Sequence, residues 1–190
     1  MRIAAGRFRG RALKTPPGLG TRPTSDRARQ AIFNILEHAP WGEGRLTGAR
    51  VIDLFAGSGA LGLEALSRGA AFALFVETDE AARGAIRDNI EAFGLFGEAR
   101  VHRRDATDLG PRPGSAGEAF GLAFLDPPYG QGLAERALTK LAAGGWLAAD
   151  ALCVVEQRTD EPALQLAGFQ TLDTRTYGVA RVSFLRLTAG

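Results

Sequence analysis

An alternation of short apolar runs and helical stretches begins near residue 50, and it constrains the fold of this chain more than any other feature. The apolar runs predict strands at Val51–Phe55, Phe72–Val76, Ala99–His102, Phe120–Leu125 and Ala151–Glu156. Helical spacing between them predicts helices at Ala60–Arg68, Glu80–Phe93 and Leu133–Ala142. Near-continuous apolar strands that are separated by helices are typical of a parallel sheet covered on both faces. The sequence therefore predicts an α/β fold.

The C-terminal part departs from this alternation. Two further strand patterns, Phe169–Thr176 and Ala180–Leu187, are separated by only three residues, which include Tyr177-Gly178. Because three residues cannot accommodate a crossover helix, we expect an antiparallel hairpin that closes the edge of the sheet. The Gly-, Pro- and Ser-containing stretch Leu109–Ala119 is predicted to be a loop.

Basic residues are concentrated at the N-terminus. Residues 1–29 hold eight basic residues and one acid, a net charge of +7, and since the whole chain carries +2, the remainder carries −5. Arg2–Phe8 and Arg11–Lys14 predict a hairpin, and a helix is predicted to open at Thr24 or Ser25 as N-cap and to stop before Pro40. We therefore divide the chain into a basic arm (residues 1–22) and a main domain (residues 23–190). A basic arm on an acidic body indicates a polyanionic partner.

Composition excludes several classes of protein. There is no apolar run of 18 residues and no signal-peptide pattern, so we expect a cytoplasmic protein without a membrane partner. Cys153 is the single cysteine, lies in an apolar run and is expected to be a core residue. His38 and His102 are far apart in sequence, and no metal site has recognisable spacing.

A glycine-rich turn follows the first predicted strand and indicates a nucleotide site. Gly57, Gly59 and Gly62 match the spacing G-x-G-x-x-G, which lets a backbone turn sharply next to a ligand. Glu77 lies 20 residues after Gly57 at the end of the next strand, where a carboxylate can accept hydrogen bonds from ribose hydroxyls. NAD proteins share this fingerprint, so it does not identify the nucleotide. Asp53 favours S-adenosylmethionine, because a carboxylate just before the turn can help to hold the ammonium end of that ligand.

A further acid follows the third strand. Asp105 is placed to accept a hydrogen bond from an adenine amine. The predicted cofactor contacts are Asp53, Phe55, Gly57, Gly59, Glu77, Asp105 and Ala106.

The tetrapeptide Asp126-Pro127-Pro128-Tyr129 follows the fourth strand and forms the predicted catalytic slot. The lone pair of an amine on a conjugated ring is delocalised, so acceptors around its N–H groups help to direct that lone pair at an incoming methyl group. The Asp126 carboxylate and the Pro127 carbonyl suit this role, and Tyr129 offers a face on which a base can stack. The tetrapeptide therefore predicts methyl transfer to an amine, helped mainly by alignment of the reactants.

The residues Asp53–Gly59 and Asp126–Tyr129 resemble the motifs of amino-group N-methyltransferases. The stretches Arg2–Gly10 and Thr21–Arg29 narrow the match, and the chain resembles the RsmD family of bacterial 16S rRNA guanine-N2 methyltransferases over essentially its whole length. The resemblance implies a Rossmann-like class I methyltransferase with a mostly parallel seven-stranded sheet and an antiparallel C-terminal strand. It also implies S-adenosylmethionine as cofactor and, as substrate, 16S rRNA in the small ribosomal subunit or an assembly intermediate.

Roles for the arginines follow from the same interpretation. Arg22 and Arg27 are expected to approach the target nucleotide, and Arg7, Arg9 and Arg11 to hold the phosphate backbone. A single small catalytic domain with one basic arm favours a monomer.

Other functions remain open on the sequence alone. Asp-Pro-Pro-Tyr is shared with enzymes that methylate DNA adenine or protein glutamine, and the glycine fingerprint is shared with NAD-dependent oxidoreductases. A non-catalytic RNA-binding module would not need Asp126. Binding of S-adenosylhomocysteine or NAD separates the two enzyme classes.

Overall fold

The computed structural model describes residues 1–18 and 25–188. Within these residues, four α-helices lie at Ser25–His38 (α1), Ala60–Ser67 (α2), Glu80–Phe93 (α3) and Leu133–Ala143 (α4). The same part of the chain contains seven strands, at Arg50–Leu54 (β1), Phe72–Val76 (β2), Ala99–His102 (β3), Phe120–Leu125 (β4), Leu147–Arg158 (β5), Phe169–Tyr177 (β6) and Ala180–Leu187 (β7). The predicted helices and strands are confirmed, most of them to within one residue at each end.

The strands form one sheet in the order β3-β2-β1-β4-β5-β7-β6. The first five strands of that order are mutually parallel, β7 is antiparallel to β5, and β6 is antiparallel to β7. The predicted C-terminal hairpin is therefore confirmed, with β7 inside the sheet and β6 at its edge. In the sheet, β2 and β3 lie on one side of β1, and β4 and the later strands lie on its other side, so the strand order reverses at β1. In an open α/β sheet, a reversal of this kind opens a crevice at the carboxyl ends of the strands.

Strand β5 differs from its prediction. It begins at Leu147, four residues before the predicted start at Ala151, because Leu147 pairs with Phe120 and the register then shifts between Phe120 and Leu122. Asp150 has a φ of 58° at this irregularity. The apolar pattern did not reveal the first part of the strand, because a bulge interrupts the alternation of side chains.

The sheet is covered on both faces. Apolar side chains of α1, α2 and α3 form a core with one face, and those of α4 together with Trp146 form a core with the other. Cys153 is fully buried in the second core, as predicted, and burial raises the pKa of its thiol to about 12. No helix within residues 1–18 and 25–188 is both long and apolar enough to cross a membrane.

The basic arm packs on the body along its described part. The predicted hairpin is confirmed by the bridge between Arg2 and Ala12, and Ile3 is buried in the first core. The arm lies closely against α2, since a Cβ on Gly6 would stand 1.9 Å from the carbonyl oxygen of Ser67. Thr24 and the predicted boundary between residues 22 and 23 lie outside the described residues.

The anchor of this packing is Glu64, which is fully buried in α2. Its carboxylate accepts hydrogen bonds from the backbone amides of Ala4 and Ala5 at 2.9 and 3.0 Å. Arg68 donates to the same carboxylate at 2.8 Å, and Arg29 of α1 lies 3.6 Å away. One buried carboxylate thus joins the arm, α1 and α2.

Candidate active site

A cavity of about 620 Å³ opens at the carboxyl ends of the parallel strands. Its walls come from the ends of β1, β2, β4 and β5, from the first turns of α2 and α3, from α1, and from the basic arm. Among the described residues, the lining contains five carboxylates and one arginine: Asp53, Glu77, Asp79, Asp126, Glu156 and Arg29. An excess of negative charge of this size favours a cationic ligand.

The glycine turn forms the floor of the cavity beside β1. Gly59 adopts φ 76° and directly precedes α2, and Gly57 adopts φ 56°, so both positions suit residues without a Cβ. A Cβ on Gly62 would stand 2.4 Å from the ring of Phe75. The third position of the fingerprint is therefore glycine because α2 packs closely on β2 there. Phe55, which lines the cavity, has φ 57°, and such backbone outliers in non-glycine residues cluster at ligand sites.

Glu77 follows β2, and backbone amides fix its orientation. Its Oε1 accepts hydrogen bonds from Thr78 and Asp79 at 2.8 and 2.9 Å, and its Oε2 accepts one from Gly57 at 2.8 Å. A carboxylate has about four acceptor positions, so capacity remains on the Oε2 side for a ligand hydroxyl. Glu77 lines the cavity in this fixed orientation.

Asp53 has a structural contact that its sequence position did not reveal. Its side chain is 1 % exposed, and its Oδ2 accepts a hydrogen bond from the amide of Gly62 in the first turn of α2 at 3.0 Å. Burial raises the pKa of Asp53 well above its usual value, and the nearby charges of Asp126 and Glu77 raise it further, against the hydrogen bond from Gly62. The carboxylate thus lies at the N-terminus of α2, where a bound anion would otherwise be stabilised.

Asp105 and Ala106 follow β3, but neither is among the residues that line the cavity. Asp105 is exposed, and its Oδ1 accepts hydrogen bonds from the amide and the hydroxyl of Thr107 at 2.8 and 2.7 Å. These two bonds lower the pKa of Asp105. The predicted contact with an adenine amine stays a prediction.

The Asp-Pro-Pro-Tyr slot follows β4, which lies on the other side of β1 from β2 and Glu77. Asp126 and Pro128 line the cavity, and Pro127 is buried. Tyr129 is not among the lining residues, but its hydroxyl donates a hydrogen bond at 2.6 Å to Oε1 of Glu156, which lines the cavity. The catalytic roles predicted for these residues stay predictions.

Sequence reasoning missed Glu156 and Arg29. Glu156 follows Val155, which pairs with Leu125 in the β4–β5 ladder, and Asp126 follows Leu125, so both acids lie at the same edge of the sheet. Comparing the ends of the two predicted parallel strands could have found it. Arg29 is 3 % exposed, pairs with Asp26 and Glu64, and donates to the carbonyl of Arg2. Nothing in the helical pattern of α1 distinguishes it from a surface arginine.

Four of the five predicted RNA-binding arginines are described, and all four are exposed. Arg7 forms an ion pair with Glu98, and Arg11 donates to the carbonyl of Ala92 at 2.6 Å. Arg9 and Arg27 are exposed, and Arg22 lies outside the described residues. Met1 and residues 15–18 line the cavity, so the basic arm reaches its mouth.

Among the described residues, no group of three or more His, Cys, Asp or Glu side chains could hold a metal ion. His38 ends α1 and His102 ends β3, and neither lines the cavity.

Comparisons with known proteins agree with this arrangement. The chain is 41 % identical over 160 residues to ribosomal RNA small subunit methyltransferase D from Escherichia coli, which covers 84 % of this chain and 76 % of the relative. It is 35 % identical to the protein of the same name from Haemophilus influenzae, over 94 % of this chain and 90 % of the relative. The solved structure of the methyltransferase yhhF from Escherichia coli superposes with a TM-score of 0.84 at 32 % identity, over 100 % of this chain and 99 % of that one.

The strand order, the glycine turn after β1 and the Asp-Pro-Pro-Tyr slot after β4 define a class I methyltransferase. The family model described as "Conserved hypothetical protein 95" matches residues 1–186. The chain belongs to this family, the RsmD family, as its sequence resemblance predicted.

Proposed function

We propose that this enzyme transfers a methyl group from S-adenosylmethionine to the N2 amine of a guanine in 16S rRNA, within a cytoplasmic small-subunit particle or an assembly intermediate. The observation that carries the proposal is that Glu77 and Asp126 line the same cavity. The names of the relatives support ribosomal RNA of the small subunit as the substrate. The arm, docked on the catalytic body, supports a monomer as the working unit.

The residues of the cavity fit S-adenosylmethionine better than a nicotinamide dinucleotide. A dinucleotide places its pyrophosphate at the helix N-terminus that follows the glycine turn. Here the carboxylate of Asp53 occupies that position by accepting from Gly62. A sulfonium and an ammonium group suit an acidic lining, whereas a pyrophosphate would be repelled. Glu77 would hold the ribose hydroxyls and Asp53 the ammonium end.

The chain's own residues prepare the amine. Bound S-adenosylmethionine supplies an electrophilic methyl carbon, so that a bond from N2 to carbon forms as the carbon–sulfur bond breaks and the amine loses one proton. The Asp126 carboxylate and the Pro127 carbonyl accept hydrogen bonds from the two N–H groups of the amine and direct the nitrogen lone pair at the methyl carbon. Asp126 takes the departing proton. Stacking of the base on Tyr129 contributes about 1–3 kcal/mol.

The basic arm supports binding to RNA beside the cavity. Each neutralised phosphate contributes about 0.7–0.9 to the slope of log affinity against log salt concentration. Arg7, Arg9 and Arg11 hold the backbone, while Arg22 and Arg27 approach the target nucleotide. The Arg9→Ala variant is expected to reduce the salt slope by about one unit. Equal losses for alanine at each of the five arginines would contradict this division of roles.

The decisive experiment is transfer of labelled methyl groups to small-subunit particles that lack their native base methylations, followed by nucleoside analysis. The proposal predicts N2-methylguanosine in 16S rRNA. It also predicts loss of that product with Asp126→Ala and retention with Glu135→Ala, which removes an exposed carboxylate on α4. Label in adenine, in cytosine or in protein would keep the chemistry and overturn the substrate.

A further inference from the structure

Glu156 is a carboxylate of the cavity that the mechanism above does not use. It lies at the carboxyl end of β5, directly after the pair Leu125 and Val155. Because adjacent strands lie about 4.8 Å apart and Asp126 directly follows Leu125, the two carboxylates come from the same end of neighbouring strands. Both line the cavity.

Tyr129 fixes the orientation of Glu156. Its hydroxyl donates to Oε1 at 2.6 Å, a short bond typical of a hydroxyl on a carboxylate. This bond uses one acceptor position of the four that a carboxylate offers, so Oε2 keeps its capacity for a ligand. This hydrogen bond therefore connects Tyr129, whose ring is proposed to stack on the base, with Glu156, the second carboxylate.

The edge of guanine matches two adjacent carboxylates. Its N2 amine and the neighbouring N1–H are both donors, whereas N1 of adenine or of 2-aminopurine is an acceptor. We propose that Glu156 is a specificity-determining residue that selects guanine by accepting its N1–H while Asp126 holds the N2 amine. This inference rests on the proposed function. In a base whose N1 is an acceptor, that nitrogen would face the Glu156 carboxylate, which is also an acceptor. Glu156 therefore disfavours such a base.

The test changes the hydrogen-bonding character of Glu156 and of the base together. Small-subunit particles are reconstituted with either guanine or 2-aminopurine at the position that the wild-type enzyme methylates. 2-Aminopurine keeps the amine and presents N1 as an acceptor. In Glu156→Gln the amide NH₂ donates to that nitrogen, while the amide oxygen accepts from Tyr129. Methyl transfer is measured for both particles, and Glu135→Gln is the matched control.

The wild-type enzyme is expected to prefer guanine, and Glu156→Gln is expected to shift the guanine to 2-aminopurine ratio by about 10- to 100-fold towards 2-aminopurine. Affinity for S-adenosylhomocysteine should stay within about threefold of the wild-type value, because Glu156 lies at the far end of the cavity from Glu77. Tyr129→Phe, which keeps the ring and removes the hydroxyl, should shift the same ratio in the same direction by a smaller factor.

An unchanged ratio in Glu156→Gln, or an equal loss on both particles, overturns the inference and leaves Glu156 a role in packing only. In both cases wild-type formation of N2-methylguanosine shows that the proposed function still stands. If the wild-type enzyme forms no N2-methylguanosine, the proposed function fails, and the inference about Glu156 fails with it.

Discussion

The two ends of the cavity are built by different kinds of contact. At the cofactor end (Asp53, residues 55–59, and Glu77), backbone amides fix the carboxylates: three amides bind Glu77 and one binds Asp53. At the target end (residues 126–129 and Glu156), the bond from Tyr129 to Glu156 joins two side chains.

This difference has a consequence for substitutions. Backbone donors belong to the turn and to the helix starts, so a change at the cofactor end disturbs both ligand binding and folding. A bond between two side chains can be altered with little effect on the sheet beneath it. We therefore expect stability and cofactor affinity to depend on the first end, and transfer rate and base selection to depend on the second.

The largest expected effect is a loss of stability when Glu64, the buried carboxylate of α2, is replaced. Glu64→Ala leaves Arg29, Arg68 and two arm amides without their buried acceptor, and should lower the free energy of unfolding by about 3–5 kcal/mol. Urea denaturation measures it. Glu37→Ala, which removes the half-exposed partner of Arg68, is the control and should cost less than about 1 kcal/mol. Equal losses would show that Glu64 is an ordinary ion-pair partner.

The next effect is on catalysis at the target end. Asp126→Ala should lower the methyl-transfer rate by about 10²- to 10³-fold, because it removes an acceptor that orients the amine in the transition state. Single-turnover transfer measures this rate. Asp126→Asn keeps one acceptor oxygen and should lose less. A variant that transfers at the wild-type rate would exclude Asp126 from the mechanism.

A smaller effect tests the packing of the cofactor end. Gly62→Ala places a methyl group against Phe75 and should destabilise the fold by about 1–3 kcal/mol. Gly84→Ala is the matched control: it lies within α3, where a Cβ meets nothing within 4 Å, and it should stabilise by about 0.4–1 kcal/mol. Thermal unfolding of both variants measures the difference. Equal shifts would contradict the close packing of α2.

The smallest effect is a pH dependence at Asp53. Because the folded-state pKa of Asp53 is raised, its contribution to stability is full below the unfolded pKa of about 3.9 and is lost as the pH rises through the folded pKa. The amide side chain of the Asp53→Asn variant does not titrate and still accepts from Gly62. The melting temperature of this variant relative to wild type should therefore rise with pH above about 4. If the melting temperature of Asp53→Asn relative to wild type falls as the pH rises, the result contradicts a raised pKa for Asp53 in the folded protein.

The strands and helices could be predicted because their apolar patterns are local. The start of β5 could not, since the bulge at Asp150 depends on pairing with a strand distant in sequence. In the site, Glu77 and Asp126 could be chosen because each directly follows a predicted strand, and Gly57 because it belongs to the glycine turn after the first strand. The anchoring of the arm on Glu64 and the bond between Tyr129 and Glu156 arise only from tertiary packing.

The most direct test is calorimetric titration of S-adenosylhomocysteine into wild type, Glu77→Gln and Asp126→Ala at a temperature where all three are folded. The separation of the two ends predicts about 10- to 100-fold weaker binding for Glu77→Gln, since hydrogen bonds to a charged group contribute about 1.5–3 kcal/mol. It predicts a change within about threefold for Asp126→Ala. Equal losses in the two variants, or a larger loss in Asp126→Ala, would contradict it.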